Sequence, residues 1–332
     1  MAGTLVALDI GESQLKLVLY AGGRIKKAAA VPVPDGLVKN GEIVSMDAMA
    51  DVLRRAAKEN GIPRAAAAVL LPQALVYTRT VDVPPMTDAQ LCYNLPFEFR
   101  DYLTQEKSKY YFDYAVLGHS QTEGGERLQL FACAALKATI EAYRAMLRRA
   151  GFRLKLAIPE QSAYAALIRA QKAAQTEDCC FVDLGYNAAR LQFLRSDAPV
   201  NQRTIGLGLA DLVRSVSERR GVDEHLARKY VDAGFEGVLT EPESLELYHR
   251  MAVEIMKAVN FYNYNHREKS LQRIYLLGGG ALLAPLREAV AEMTRLELHS
   301  AAELLPQGQL PQTPELFVRA AGCALQAQEA CV

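Results

Sequence analysis

The stretch VALDIGESQLKLVLY, Val6 to Tyr20, returns in altered form as CFVDLGYNAARLQFL, Cys180 to Leu194. Asp9 aligns with Asp183, Gly11 with Gly185, Lys16 with Arg190 and Leu17 with Leu191, all at an offset of 174 residues in a chain of 332. Each copy is an apolar run ending in Asp-apolar-Gly, then a short polar turn, then an alternating strand. Leu15, Leu17 and Leu19 share one face, as a period of two requires. The pattern predicts a β-hairpin with a tight glycine-containing turn. Its repetition at half the chain length predicts two related lobes.

The turn has a chemical use. Glycine lets backbone approach a ligand closely, and successive N–H groups in a turn form a concave anion site. Ser13 adds a hydroxyl and Lys16 a positive charge. Asp9 and Asp183, at the strand ends, are placed to hold a hydrated Mg²⁺, an ion that keeps several waters and takes one or two carboxylates beside substrate phosphates. Two such hairpins would grip a triphosphate from both sides. One hairpin alone reads equally as a surface turn; two at a fixed offset carry the argument. A third element adds to it: the apolar run Ile274 to Leu277 enters Gly278-Gly279-Gly280 and then the helical pattern ALLAPLREAVAEM. A strand, a glycine turn and a helix N-terminus suit a nucleotide, although a triple glycine also serves as a plain connector.

Around these motifs, strands and helices alternate, which indicates α/β. Helices are expected over Asp47 to Asn60, with Asp47 as N-cap and Gly61 beyond the end, over Lys137 to Ala150 with Gly151 as its stop, over Ser244 to His266, and over about Pro314 to Gln328. Thr87 to Gln90 is a capping-box signature, and Pro96 should kink or divide the helix it opens. The stretch from about Ala65 to Ala135 carries two strands, a helix and two more strands. A Gly124-Gly125 turn separates the last two, and the stretch reads as a small subdomain inserted in the first lobe. The lobes are expected at residues 1–157 and 158–332.

Composition sets limits. Half the residues are hydrophobic, 23% are charged, and 38 basic residues balance 38 acidic ones. A neutral balance gives no support to a general nucleic-acid binder. The longest apolar runs fall short of the ~20 residues of a spanning helix. The first residues lack a signal-peptide pattern, and the six cysteines form no metal spacing, so a reducing cytoplasm is expected. The histidines, His119, His225, His249, His266 and His299, form no ligand spacing either. The aromatic group Phe97, Phe99, Tyr102, Tyr110, Tyr111, Phe112 and Tyr114 reads either as core or as the lining of a binding groove.

In order, VALDIGESQLK, FVDLGYN and LLGGG are similar to the first phosphate, second phosphate and adenosine motifs of the actin, heat-shock chaperone and FtsA superfamily. Within it, the chain resembles the PilM family of type IV pilus assembly proteins. The deciding residues are VYTRTVDVPPMTDAQL, Val76 to Leu91, and LPFEFRDYLTQEKSKYYFDYAVLG, Leu95 to Gly118, together with the segment Lys39 to Gly61. Family members similarly carry a strand ending in PPM, a helix with an aromatic and a proline near its end, and a strand reading DYxVLG. The resemblance implies an actin-like ATPase fold that binds ATP and Mg²⁺ as conformational ligands. It implies an adaptor at the inner face of the cytoplasmic membrane, attached indirectly. There it would dock the cytoplasmic N-terminal tail of a PilN-like inner-membrane protein, in a groove between the first lobe and the inserted subdomain, and connect to pilus motor ATPases. Asp9, Gly11, Ser13 and Lys16 match the first phosphate loop, Asp183 and Gly185 the second, Gly208 and Asp211 the segment IGLGLADL, and Gly278, Gly279 and Gly280 the adenosine loop. Glu160 resembles the connecting-segment acid that polarises an attacking water; it reads equally as a helix N-terminal acid.

Three departures bear on catalysis. Ala188 and Ala189 stand where the second loop offers Ser or Thr, leaving Asn187 as the small polar residue. Leu209 replaces a glycine. Arg228-Lys229-Tyr230-Val231 replaces a Glu-x-x-Lys pattern. Fewer hydroxyl donors stabilise a transferring phosphoryl group less, so hydrolysis is expected to be weak or absent. A filament-forming ATPase of the FtsA kind is the alternative, but the C-terminal AAGCALQAQEACV has no basic face or aromatic anchoring for a membrane. A small-molecule kinase would need a substrate base beyond Glu160.

Overall fold

The computed structural model describes residues 4–122, 125–171, 177–266 and 270–330. The chain forms two compact units. Unit 1 comprises Met1–Ala170, Pro306–Pro311 and Arg319–Val332; unit 2 comprises Gln171–Leu305 and Gln312–Val318.

Unit 1 begins with an antiparallel meander, β1 (Leu5–Ile10), β2 (Gln14–Ala21) and β3 (Arg24–Pro32). A two-residue ladder, β4 (Val38–Lys39) and β5 (Glu42–Ile43), leads into helix α1 (Met46–Glu59). Strand β6 (Ala66–Leu71) pairs parallel to β1. The chain then leaves the sheet for β7 (Val76–Val83), helix α2 (Asp88–Glu98), β8 (Tyr110–Thr122) and β9 (Gly125–Leu136). It returns through α3 (Lys137–Ala150) to β10 (Arg153–Pro159), parallel to β6, and α4 (Glu160–Ala170). The central sheet has the order β10-β6-β1-β2-β3. Its inner strand β6, AAAVLL, is apolar almost throughout because both faces are covered. Leu8, Leu17, Leu53, Val69 and Leu147 form one core between the sheet, α1 and α3.

Unit 2 repeats the scheme. β11 (Cys179–Leu184), β12 (Ala189–Arg195) and β13 (Ala198–Ile205) form a second meander. Helices α5 (Leu209–Arg220), α6 (Glu224–Ala233) and α7 (Pro242–Asn265) follow, then β14 (Arg273–Leu277), α8 (Ala284–Thr294) and β15 (Glu297–Ser300). The sheet order is β13-β12-β11-β14-β15, which matches β3-β2-β1-β6-β10 strand for strand. The registers match too: Asp9 lies opposite Lys16, and Asp183 opposite Arg190. The repeat read in the sequence is therefore a repeat of structure, and the chain is α/β with two related units, as expected.

Other expectations shift in detail. The inserted subdomain begins at β7, because β6 belongs to the central sheet. It is a three-stranded sheet, β7-β9-β8, with α2 on one face. Leu128, Leu130, Ala132 and Ala134 of β9 alternate inward and meet Leu91 and Leu95 of α2. The capping box forms as read: Thr87 N donates to Gln90 Oε1 at 2.9 Å, and its hydroxyl accepts from Gln90 N. Helix α2 passes through Pro96 and ends two residues later at Glu98, so the proline does not divide it. Gly124 lies outside the described residues. Ser45, not Asp47, caps α1, accepting from Ala48 N. Asp47 sits one step inside and pairs with Arg149 of α3 at 3.2 Å.

The largest difference is at the end of the chain. The last helix, α9 (Val318–Glu329), was expected in the second lobe, yet from Arg319 onward it belongs to unit 1. The preceding segment also returns there: Gln309 N donates to the Ile25 carbonyl at 2.9 Å, and Ile25 N to Gln307 at 3.2 Å. Helix α9 packs closely on α4, since a Cβ on Gly322 would overlap the carbonyl oxygen of Ala163. Ala320, Ala321, Cys323, Ala324 and Ala327 are fully buried.

Candidate functional site

In unit 1 the site is built at the C-terminal end of β1. Gly11 N donates to the Gln14 carbonyl at 3.0 Å and closes the β1–β2 turn. A Cβ on Gly11 would sit 3.0 Å from that same oxygen. The Ser13 carbonyl accepts from Val33 N at 3.0 Å, which ties the turn to the residue after β3. Asp9 is only 3% exposed. Register places Lys16 beside it, with Nζ 3.6 Å from Oδ2.

The decisive neighbour is Arg319, which sequence reasoning missed. It is 7% exposed and reaches Asp9 from α9. Its Nη2 donates to Asp9 Oδ1 at 2.8 Å and its Nε to Oδ2 at 3.2 Å, a bidentate pair. Its Nη1 donates to Glu160 Oε1 at 2.9 Å. Glu160 is the first residue of α4, where a negative charge also suits the helix N-terminus. A signal was present in the sequence: in FVRAAGCAL a charged side chain stands among apolar ones, and a buried charge needs a partner.

In unit 2 three glycine loops meet at the end of β11. Gly185 N donates to the Asp183 and Ala188 carbonyls at 3.0 and 3.2 Å. A Cβ on Gly185 would lie 2.8 Å from the Ala188 oxygen. Gly208 presses on the same turn: its Cβ would overlap the Tyr186 oxygen and come within 2.7 Å of Ala188 N and of the Asn187 carbonyl carbon. Gly278, at φ +85°, brings its loop against Asp183, whose Oδ1 a Cβ there would overlap. Gly280 rests on Leu184, with a Cβ separation of 2.7 Å, and Gly279 on Leu209 at 3.0 Å. These glycines are required by loops of the protein packing on one another.

The N–H groups at the start of α5 are also taken. Gly208 N donates to Asp211 Oδ2 at 2.9 Å, Leu209 N to Gly185 at 3.2 Å, and Ala210 N to Tyr186 at 2.7 Å. Arg228 stacks over the Tyr186 ring at 4.9 Å and fastens α6 to the second turn. The triple glycine does not open α8 directly: a 3₁₀ turn over Gly279–Leu282 intervenes, and α8 begins at Ala284.

A family model described as "Type IV pilus assembly protein PilM" matches residues 7–310. The chain belongs to the PilM family. A solved structure described as a PilM–PilN type IV pilus biogenesis complex matches with a TM-score of 0.81 at 22% identity, covering 98% of this chain and 99% of that one. The ethanolamine utilization protein EutJ of Carboxydothermus hydrogenoformans matches with a TM-score of 0.61 at 16% identity, over 98% and 91% of the two chains. An archaeal actin homolog gives 0.52 at 14%, over 99% and 100%. At these identities the structures show the shared actin-like fold. Among curated proteins, none matches the chain by sequence.

For a PilM-family chain, the fit of the implied ligands is mixed. A hydrated Mg²⁺ does not fit Asp9 as the residues stand, since a guanidinium already occupies the face of that carboxylate. Glu160 accepts from Arg319 at Oε1, so its carboxylate is held as an ion-pair partner of that guanidinium. The side chains of Ser13, Lys16 and Asn187 and the loop Gly278–Gly280 remain the candidates for a nucleotide. The backbone N–H groups of Gly11, Gly185 and Gly208 are engaged within the protein.

Proposed function

We propose that this chain is an adaptor of type IV pilus assembly that docks the cytoplasmic N-terminal tail of a PilN-like inner-membrane protein on its inserted subdomain. Family membership supports the pilus role. The observation that carries the docking surface is a group of aromatic side chains left in solvent around α2 and β8. Tyr93 is 72% exposed, Phe97 and Tyr102 each 50%, and Tyr111 45%. They are held in place rather than loose: Tyr93 and Phe97 rings lie 6.1 Å apart, Lys107 sits over Phe97 at 4.4 Å, and Arg79 over Tyr102 at 4.5 Å. Exposed aromatics beside cations suit a short peptide with apolar anchors and acidic groups. The related structure is itself described as a complex with PilN, which supports the choice of partner.

Among the described residues no helix is long and apolar enough to cross a membrane. In this reading the partner supplies the contact with the membrane, and motor ATPases lie further along the same assembly. ATP acts as a conformational ligand, met by Ser13, Lys16, Asn187 and the Gly278–Gly280 loop, and its hydrolysis is weak or absent. Nucleotide and peptide affinities are then coupled reciprocally.

The test is calorimetric titration with a synthetic peptide of the partner's cytoplasmic tail, with and without ATP. Binding that weakens roughly tenfold or more in Phe97→Ala is expected, as for an exposed aromatic anchor. A tail that binds native protein and Phe97→Ala equally would move the docking surface elsewhere. No binding of the tail in either condition would remove the adaptor reading.

A further inference from the structure

Around Asp9, two carboxylates face two cations. Arg319 donates from three nitrogens, two to Asp9 and one to Glu160, and Lys16 stands 3.6 Å from Asp9. Asp9 thus already has two cations of the protein within ion-pair distance. A divalent ion brought to Asp9 would have to displace a buried guanidinium from its partner, or add two charges beside a buried carboxylate that is already paired; both are costly. Magnesium also demands near-octahedral oxygen ligands, whereas the Asp9 oxygens here receive N–H donors.

The helix that carries Arg319 is fastened to α4. Gly322 lies against the Ala163 backbone. At the far end of the same helix pair, Arg169 of α4 donates to Gln326 at 2.6 Å and to Glu329 at 2.7 Å. Helix α9 is thus held on α4 at both ends, and Arg319 is delivered to Asp9 by a rigid element.

We propose that Arg319 is a built-in counter-cation: it takes the place of Mg²⁺ at Asp9 and holds Glu160 as an ion-pair partner, so the unit 1 aspartate site binds no divalent metal. A phosphate-bearing ligand of this unit is then held with Asp9 neutralised by the protein itself. That last clause rests on the nucleotide reading above; the absence of a metal at Asp9 does not.

Mn²⁺ titrated alone into the full chain, with free ion followed by electron paramagnetic resonance, separates the two. The native protein is expected to show no saturable site. Arg319→Met, which keeps an unbranched apolar stem and removes the charge, is expected to gain one site, at least roughly tenfold tighter than any in the native chain. The double variant Asp9→Asn, Arg319→Met should lose it. A native Mn²⁺ site abolished by Asp9→Asn would overturn the proposal, as would a folded Arg319→Met with no new site. Two buried carboxylates without their cation can prevent folding, so melting temperature is measured in chelator and in Mn²⁺. Recovery of folding by Mn²⁺ is the expected result in another form. If that variant folds in neither, the native titration alone decides. No nucleotide is present, so failure of the nucleotide reading leaves these outcomes unchanged.

Discussion

At the scale of single residues, the glycines and the buried thiols make the clearest predictions. Gly208 is fixed by contact with the turn after β11, where a Cβ would overlap the Tyr186 oxygen. Gly208→Ala should therefore destabilise the chain by about 1–3 kcal/mol through overpacking, read as a lower midpoint in urea. If the midpoint does not move, the close packing of the two loops is not what selects glycine there. Cys179 is buried on β11, and burial pushes its thiol up from the ordinary value of 9.0 to about 12. The folded chain then keeps a proton that the unfolded chain releases above pH 9. This contribution to stability is fully present below pH 9 and is lost as pH rises toward 12. Burial raises Cys133, Cys180 and Cys323 in the same direction, so urea midpoints should fall from about pH 8.5 to 10.5 and Cys179→Ala should lessen the slope of that fall without removing it; parallel slopes in the two proteins would exclude the Cys179 thiol as a contributor.

At the scale of elements, most of the architecture was legible because local chemistry and tertiary demand agree. The end of α3 at Ala150 was readable because Gly151 adopts φ +93°, a conformation that favours glycine. The start of α2 was readable because Thr87 and Gln90 satisfy each other's backbone donors. Thr87→Ala should cost about 1 kcal/mol and speed hydrogen exchange in the first turn of α2 while the central sheet stays protected. Unchanged exchange there would mean that packing on β9, not the cap, holds the helix end. The assignment of β6 to the subdomain failed for a different reason. Its run of apolar residues fits either sheet, and only pairing with β1 and β10 decides which.

At the scale of the whole molecule, the duplicated five-stranded sheets explain why a single motif repeat predicts so much. Each meander needs a parallel strand beside its first member, and the chain supplies β6 and β10 in unit 1 and β14 and β15 in unit 2. The inserted subdomain adds no strand to either sheet, and its exposed aromatics are the basis of the docking proposal. The expected loss of tail binding in Phe97→Ala belongs to this scale, because the residue contributes little to the subdomain core and much to its surface.

The sequence by itself determined the repeat, the α/β class, the family and the identity of the loop residues, since periodicity, turn chemistry and motif order are local properties of the chain. Only the tertiary structure decided what those loop residues touch. Asp9 and Arg319 lie 310 positions apart, and no local pattern records a pairing made by the return of α9 to unit 1. The charge on Asp9 suggested a metal; only the packing of α9 shows that Arg319 donates to both of its oxygens.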